Sequence, residues 1–156
     1  MANKNTEVGE EEVAKYPVSF YFSVSFDDYS NVDFQEVSGL SKEQAVEEIA
    51  GGGENRFKYR LPAAASSKNL VLKRAVVLKD DWLVKWCSDT IDGGLANPIQ
   101  TKTTSVNLLD KKGIVSMKWV FYDVYPIKHS VSDLKSQESE ILIDTIELAY
   151  TFFTVS

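Results

Sequence analysis

The chain has 156 residues, of which 44% are hydrophobic and 26% charged, with a formal net charge of -6 at pH 7. This length suits one domain that buries roughly 70% of the unfolded chain's surface without needing disulfides or metals. The composition is that of a globular protein, the apolar runs are shorter than the roughly 20 residues of a membrane-spanning helix, and the acidic balance argues against tight nucleic-acid binding.

Residues 1–15 are predicted to form a flexible acidic arm. They contain Glu7, Glu10, Glu11 and Glu12 and few side chains that a core could bury. The folded domain is predicted to span residues 16–156. Because no basic segment followed by an apolar one precedes this domain, we expect the protein to be made and kept in the cytoplasm without a signal peptide until another system exports it.

Strict alternation predicts a half-buried strand at residues 18–26. One face consists of Val18, Phe20, Phe22, Val24 and Phe26. Residues 32–40 are the predicted antiparallel neighbour of this strand. The turn between the two is rich in Asp, Ser and Asn, which favour tight turns.

Residues 41–67 give conflicting local signals. Ser41 followed by Gln44 is typical of a helix-capping box, and EQAVEEIA indicates a short helix that ends at the glycines of residues 51–53. After this bend, RFKYRLP is predicted as a strand that Pro62 stops. The small residues that follow are interpreted as a loop.

The central part of the chain is predicted to contain the main helix. A strand is expected at residues 69–78, and Asp80 or Asp81 can then cap a helix that reaches about residue 90. Leu83, Trp86 and Cys87 share the apolar face of this helix, with Trp82 at its edge.

The last third of the chain predicts strands at residues 101–109, 114–125 and 141–155. The turn DKKG joins the first two, and a polar crossover over residues 129–140 leads to the third. The whole chain is therefore predicted to be mainly β, a barrel or sandwich of about seven strands with one flanking α-helix.

The residues that could carry chemistry form no recognisable set. Cys87 is interpreted as a core residue and His129 as an exposed residue at a strand end, because no spacing in the sequence brings the two together. Paired carboxylates are typical of solvated faces in an acidic protein. The glycines of residues 51–53 lack the lysine and hydroxyl of a phosphate-binding loop. We expect no catalytic, metal or cofactor site, and an enzyme is the least favoured class.

Several segments, in order, resemble the tail tube proteins of contractile phages and phage-like contractile injection systems. They are YPVSFYFSVSF with FQEVSGL, YRLP, NLVLKRAVV, the DDWLVKW helix, DKKG, WVFYDVYPIK and IELAYTFF. Their order and spacing cover nearly the whole chain from Tyr16 onward. The chain departs from the family at Ala75, where glycine is common.

The resemblance implies a ring-forming subunit. Six copies would close into a ring, and stacked rings would form a hollow inner tube that a contracting sheath drives through a target envelope. The implied partners are further copies of the chain, the sheath protein, baseplate and spike components, and effector cargo or DNA in the channel, with no membrane anchor. The protein would then be a component of an assembled particle, extracellular or cell-associated.

The resemblance also implies which residues make contacts between copies. Residues 41–60 would be the family's extended hairpin or loop, strand-like in the tube despite their local helical signal. We expect Glu43, Glu47 and Glu48 to pair with basic residues of another copy. The nearby basic candidates are Arg56, Lys58 and Arg60, and Tyr59 is expected to be a further contact residue.

Two alternatives stay open from the sequence. The short chain without an appended lumenal domain favours an injection system. The alternative within the family is the tail tube of a contractile phage, which would conduct DNA. A monomeric β-sandwich binding module is the alternative of another class. In such a module Trp82, Trp86 and Trp119 would form an aromatic binding surface.

Overall fold

The computed structural model describes residues 20–51, 58–78, 80–94, 96–137 and 139–156, and the predicted acidic arm lies outside these ranges. The described residues are mainly β, with ten strands and one helix. The elements are β1 (Tyr21–Phe26), β2 (Tyr29–Val32), β3 (Glu36–Ser38), β4 (Lys42–Ala50), β5 (Lys58–Ser67), β6 (Leu70–Ala75), α1 (Trp82–Ile91), β7 (Lys102–Leu109), β8 (Val115–Val131), β9 (Ile143–Ala149) and β10 (Phe152–Val155).

The strands form one antiparallel main sheet and one separate hairpin. The main sheet has the order β2-β1-β7-β8-β9-β6-β3, with β10 also beside β8, and β4 and β5 pair only with each other among the described strands. The first half of β8 pairs with β7 and β10, and its second half pairs with β9. The long strand β8 therefore connects two halves of the sheet.

The two halves of the sheet share one core with the helix. Buried residues of the first half, such as Val24 and Val106, belong to the same cluster as Leu72 and Ile146 of the second half. Leu83 and Cys87 of α1 complete this cluster, as the predicted apolar face requires. The fold is therefore sandwich-like, and the described strands do not close into a barrel.

A bulge in β8 marks the change of partner strands. Lys102 pairs with Val124 but Thr104 pairs with Phe121, so β8 accommodates one extra residue at this point. Asp123 lies in this bulge with a φ of 54°, in the left-handed region that non-glycine residues rarely adopt. The hydroxyl of Thr151 donates a hydrogen bond of 3.1 Å to its carboxylate.

Several predicted boundaries were wrong. The predicted strand at residues 32–40 is divided between β2 and β3, and the predicted final strand is divided at Thr151 into β9 and β10. Pro62 does not stop a strand, because β5 continues through it and through the predicted small-residue loop. Pro62 pairs with Val46 in a two-stranded hairpin, where a strand can lack one N–H donor on its outer edge.

The segment EQAVEEIA forms part of β4 and not a helix. Its pairing with β5 outweighs the helical propensity of its alanine and glutamate residues, since strand preference depends strongly on partners. The strand conformation that the family resemblance implied for this segment is confirmed. In the described part of the chain, no helix has both the length and the apolar character needed to cross a membrane.

Candidate functional site: the projecting hairpin

The hairpin of β4 and β5 carries most of the contact residues expected from the sequence. Its register places Glu48 opposite Arg60, and Ile49 opposite Tyr59. Four of its large apolar side chains are exposed by 43–64%: Val46, Ile49, Tyr59 and Leu61. Because an isolated two-stranded hairpin is marginally stable in water, these exposed apolar side chains are suited to packing against another molecule.

Two of the three expected glutamates already have partners within the chain. Glu43 lies 3.7 Å from the ammonium of Lys68, and Glu48 lies 3.7 Å from that of Lys58. Both ion pairs are exposed, so each contributes at most about 1 kcal/mol. Within the described residues, Glu47 and Arg60 form no ion pair, and Arg56 lies outside the described residues.

Glu47 and Arg60 project from opposite faces of the hairpin. Arg60 is paired with Glu48, the residue next to Glu47, and successive side chains of a strand alternate between its two faces. The hairpin thus presents the carboxylate of Glu47 on one face and the guanidinium of Arg60, opposite Glu48, on the other. Hairpins that pack front to back would bring the two charges together.

The base of the hairpin is attached to the main sheet by polar contacts. The ammonium of Lys42, the first residue of β4, lies 4.4 Å from the ring centroid of Phe153 on β10. Just after β5, the carbonyl of Lys68 accepts a 2.7 Å hydrogen bond from the hydroxyl of Tyr150. These contacts hold the hairpin base beside β10 while the rest of the hairpin projects.

Cys87 and His129, the two residues considered for chemistry, are both at least partly buried in the fold. Cys87 is buried, as expected, and burial, with a smaller effect of the Asp144 charge, raises the pKa of its thiol to about 12. His129 was expected to be exposed, but it is half-buried, with its Nε2 2.8 Å from Asp144 Oδ1. The cause of this error is strand β8, which continues to Val131 and carries His129 into the sheet.

A buried ionic network surrounds Asp144. The guanidinium of Arg74 donates a hydrogen bond to Asp81, and its Nε lies 3.8 Å from Asp144 Oδ2. Arg74 and Asp144 are almost completely buried. The network joins β6 and β9 to Asp81, the residue before α1, and therefore holds the helix against the sheet. No local sequence pattern indicated it.

The three tryptophans do not form an exposed binding surface. Trp86 is buried and donates a 2.9 Å hydrogen bond to the carbonyl of Gln100. Trp82 is half-buried and stacks on Tyr29, with ring centroids 3.9 Å apart. Trp119 is half-buried and packs against the core. The aromatic surface required by the binding-module alternative is therefore absent at these three residues.

The described residues therefore belong to the class of mainly β sandwich domains with one flanking helix and a projecting, partly apolar hairpin. Comparison with known families gives this class a name. The family described as T4-like virus tail tube protein gp19 matches residues 18–154, and the chain belongs to this family.

Solved structures of low sequence identity share the fold. A chain of the PVC extracellular contractile injection system, in the extended sheath-tube complex, is 21% identical over 92% of this chain and 93% of that chain, with a TM-score of 0.78. A chain of the anti-feeding prophage cap is 20% identical over 97% and 98%, also with a TM-score of 0.78. Hcp1 from Flavobacterium johnsoniae is 14% identical over 86% and 93%, with a TM-score of 0.55. A comparison with curated protein sequences gave no significant match.

Proposed function

We propose that this protein is the inner tube subunit of a phage-like contractile injection system. Six copies close into a ring, rings stack into a hollow tube, and a contracting sheath drives the tube through a target envelope. The observation that carries the proposal is the projecting hairpin, which exposes four large apolar side chains in a chain of the tail tube family.

The hairpin supplies contacts between copies. Complete burial of one large apolar side chain stabilises an interface by roughly 1.5–3 kcal/mol, so covering the half-exposed Val46, Ile49 and Leu61 and the more exposed Tyr59 contributes several kcal/mol. Glu47 and Arg60 then add a directional charge pair between neighbouring hairpins. Glu43, Glu48 and Lys58 form intrachain pairs beside this contact, and Arg56 stays a candidate for it.

The proposed role is mechanical and not enzymatic. Solved structures of this fold come from a sheath-tube complex, a tube-terminating cap and a baseplate of contractile particles. We propose the corresponding partners here: a sheath protein outside the tube, baseplate and spike components at one end, and effector cargo in the channel. The protein then acts as a component of an assembled particle.

A tail tube of a contractile phage is the second candidate, because the matching family is described for T4-like viruses. In that case the channel conducts DNA. The neighbouring genes distinguish the two candidates. Genes for sheath, spike and baseplate without capsid and terminase genes indicate an injection system, whereas capsid and terminase genes indicate a phage.

The proposal is tested by deleting residues 47–55, which removes the second half of β4 and part of the segment between β4 and β5. We expect the variant to keep the circular dichroism spectrum and cooperative thermal unfolding of the wild type but to lose polymerisation in sedimentation and electron microscopy. Inserting three glycines into the segment between β4 and β5, a matched control that keeps both strands, should preserve tube formation. Full-length tubes from the deletion variant would overturn the role of the hairpin.

A further inference from the structure

We infer that the acidic arm, residues 1–15, docks on the turn between β7 and β8 of its own chain. The arm contributes the three consecutive glutamates of residues 10–12, and the turn contributes Lys111 and Lys112. The arm lies outside the described residues. The surface that it covers, and the point where the chain leaves that surface, support the docking, which concerns the single subunit and goes beyond the proposed function.

The β7–β8 turn carries two exposed lysines, Lys111 and Lys112. Neither forms an ion pair with any residue in the described ranges. The carboxylate of Asp110, which precedes them, instead accepts hydrogen bonds of 2.8 and 2.9 Å from the backbone N–H groups of Lys112 and Ile114. Asp110 therefore stabilises the backbone of the turn, and the two ammonium groups are available to an acidic segment.

Exposed apolar side chains lie at the same end of the sheet. Tyr21 pairs with Leu109, and Leu109 pairs with Val115, so β1, β7 and β8 all contribute to this end. Five of its large apolar side chains are exposed by 39–68%: Phe20, Tyr21, Ile114, Val115 and Met117. Together with the two lysines they form one surface, the basic end of the sheet. Apolar groups gathered in this way on a soluble protein usually mark a contact surface.

The basic end is open because the β7–β8 hairpin extends past its neighbours. On one side, pairing with β1 stops at Leu109, opposite Tyr21. On the other side, Ser156 exchanges two backbone hydrogen bonds of 2.9 Å with Lys118. Among the described residues, none pairs with residues 110–117 from outside the hairpin. The surface is therefore accessible to the segment that precedes β1.

The chain enters β1 beside the basic end. Tyr21 lies opposite Leu109, which is two residues before Lys111, so Lys111 is roughly 10 Å from the start of β1. Seven residues separate Glu12 from Phe20. Such a segment spans at most roughly 25 Å when it is fully extended. The glutamates of residues 10–12 can therefore reach the lysines of their own chain.

Docking within one chain suits weak charge pairs. An exposed ion pair contributes little by itself. A short linker, however, holds the arm near its own turn at an effective concentration on the order of millimolar, which favours the same chain over another copy. The linker also contains Val13, Tyr16 and Val18, which supply apolar groups to cover Ile114 and Met117.

The docked arm shields the basic end in the free subunit. It neutralises the charge of the turn and covers apolar groups that would otherwise face water. Because these ion pairs are exposed, salt weakens them, and at about 1 M salt the screening length falls to about 3 Å. The cover is therefore released at high ionic strength.

Zero-length cross-linking tests the docking. The full chain, kept below the concentration at which it assembles, is treated with a carbodiimide, which joins a carboxylate to a lysine amine in direct contact. An equal mixture of unlabelled and isotopically labelled chains distinguishes cross-links within a chain from those between chains by mass spectrometry. We expect cross-links from residues 10–12 to Lys111 or Lys112 within one chain at low salt, and their loss at about 1 M salt.

Charge variants provide the controls. K111E/K112E should lose these cross-links while it keeps the circular dichroism spectrum of the wild type. The matched control K85E/K128E makes the same change at two exposed lysines outside the basic end and should keep them. Combining E10K/E11K/E12K with K111E/K112E should restore cross-links with the amine on the arm and the carboxylate on the turn.

Wild-type cross-links that spread over the exposed lysines without preference for Lys111 and Lys112 would overturn the docking. Cross-links that join only chains of different isotope would overturn it as well, because the arm would then bind another copy. The absence of any cross-link from the arm would have the same meaning. None of these results bears on the proposed tube function, since the measurement uses the unassembled subunit.

Discussion

The ammonium of Lys42 lies 4.4 Å from the ring centroid of Phe153. Lys42 begins the projecting hairpin, and Phe153 is a core residue of β10, so this contact attaches the base of the hairpin to the main sheet. The orientation of the hairpin relative to the main sheet depends on such contacts at its base, because β4 and β5 pair with no other described strand.

Replacing Lys42 by methionine tests this link. K42M keeps the length of the side chain but removes the charge, and we expect the free energy of unfolding to fall by about 0.5–1 kcal/mol, the usual value of an exposed cation–π contact. Urea denaturation measures the change. The matched control is K128M, which removes an exposed charge on β8 outside the hairpin, and it should form tubes at a lower protein concentration than K42M. Equal critical concentrations for the two variants would contradict the positioning role of Lys42.

The network of Arg74, Asp81 and Asp144 should dominate the stability of the helix–sheet contact. R74M leaves two carboxylates without their buried cation, so we expect a loss of about 3–5 kcal/mol in the free energy of unfolding. K73M removes the neighbouring exposed pair with Glu36 and should cost at most about 1 kcal/mol. Equal losses of unfolding free energy in the two variants would show that the burial of Arg74 does not add to stability.

Asp123 should tolerate glycine better than valine. Its φ of 54° is accessible to glycine without strain, whereas a β-branched residue in this conformation costs roughly 1–3 kcal/mol. D123G should therefore unfold near the wild-type midpoint, and D123V well below it. Thermal denaturation of both variants measures this difference, and a D123V midpoint equal to that of D123G would contradict the left-handed bulge.

Charge reversal tests the front-to-back contact between hairpins. E47R and R60E each place like charges together, so each should reduce polymerisation, whereas the double variant E47R/R60E restores opposite charges and should polymerise again. The critical concentration for sedimentation measures the effect. The control E140R changes a charge outside the hairpin and should not alter the critical concentration. If the double variant raised the critical concentration as much as the two single variants combined, this pairing would be excluded.

Much of the fold was predictable because apolar and polar residues alternate strictly along its core strands. The pattern at residues 18–26 identified β1, and the apolar face of Leu83, Trp86 and Cys87 identified α1. The ends of the strands were less predictable, because pairing with neighbouring strands decides where each strand begins and ends. Pro62 is tolerated within β5 because it lies in a two-stranded hairpin, and the bulge at Asp123 lets β8 continue beyond the predicted end.

The candidate site was predictable only in part. The resemblance to the tail tube family indicated the hairpin and its charged residues, although local propensity for EQAVEEIA favoured a helix. No sequence signal indicated the contact of Lys42 with Phe153 or the ion pair of Arg74 with Asp81, because both join distant segments whose proximity depends on the complete fold.

Negative-stain electron microscopy of the full chain, over a range of protein concentrations, tests the central claim most directly. We predict hollow tubes or rings with a central channel and six-fold symmetry in end-on views. Dispersed monomers at every concentration, also after co-expression with sheath and baseplate proteins, would contradict the assignment as an inner tube subunit.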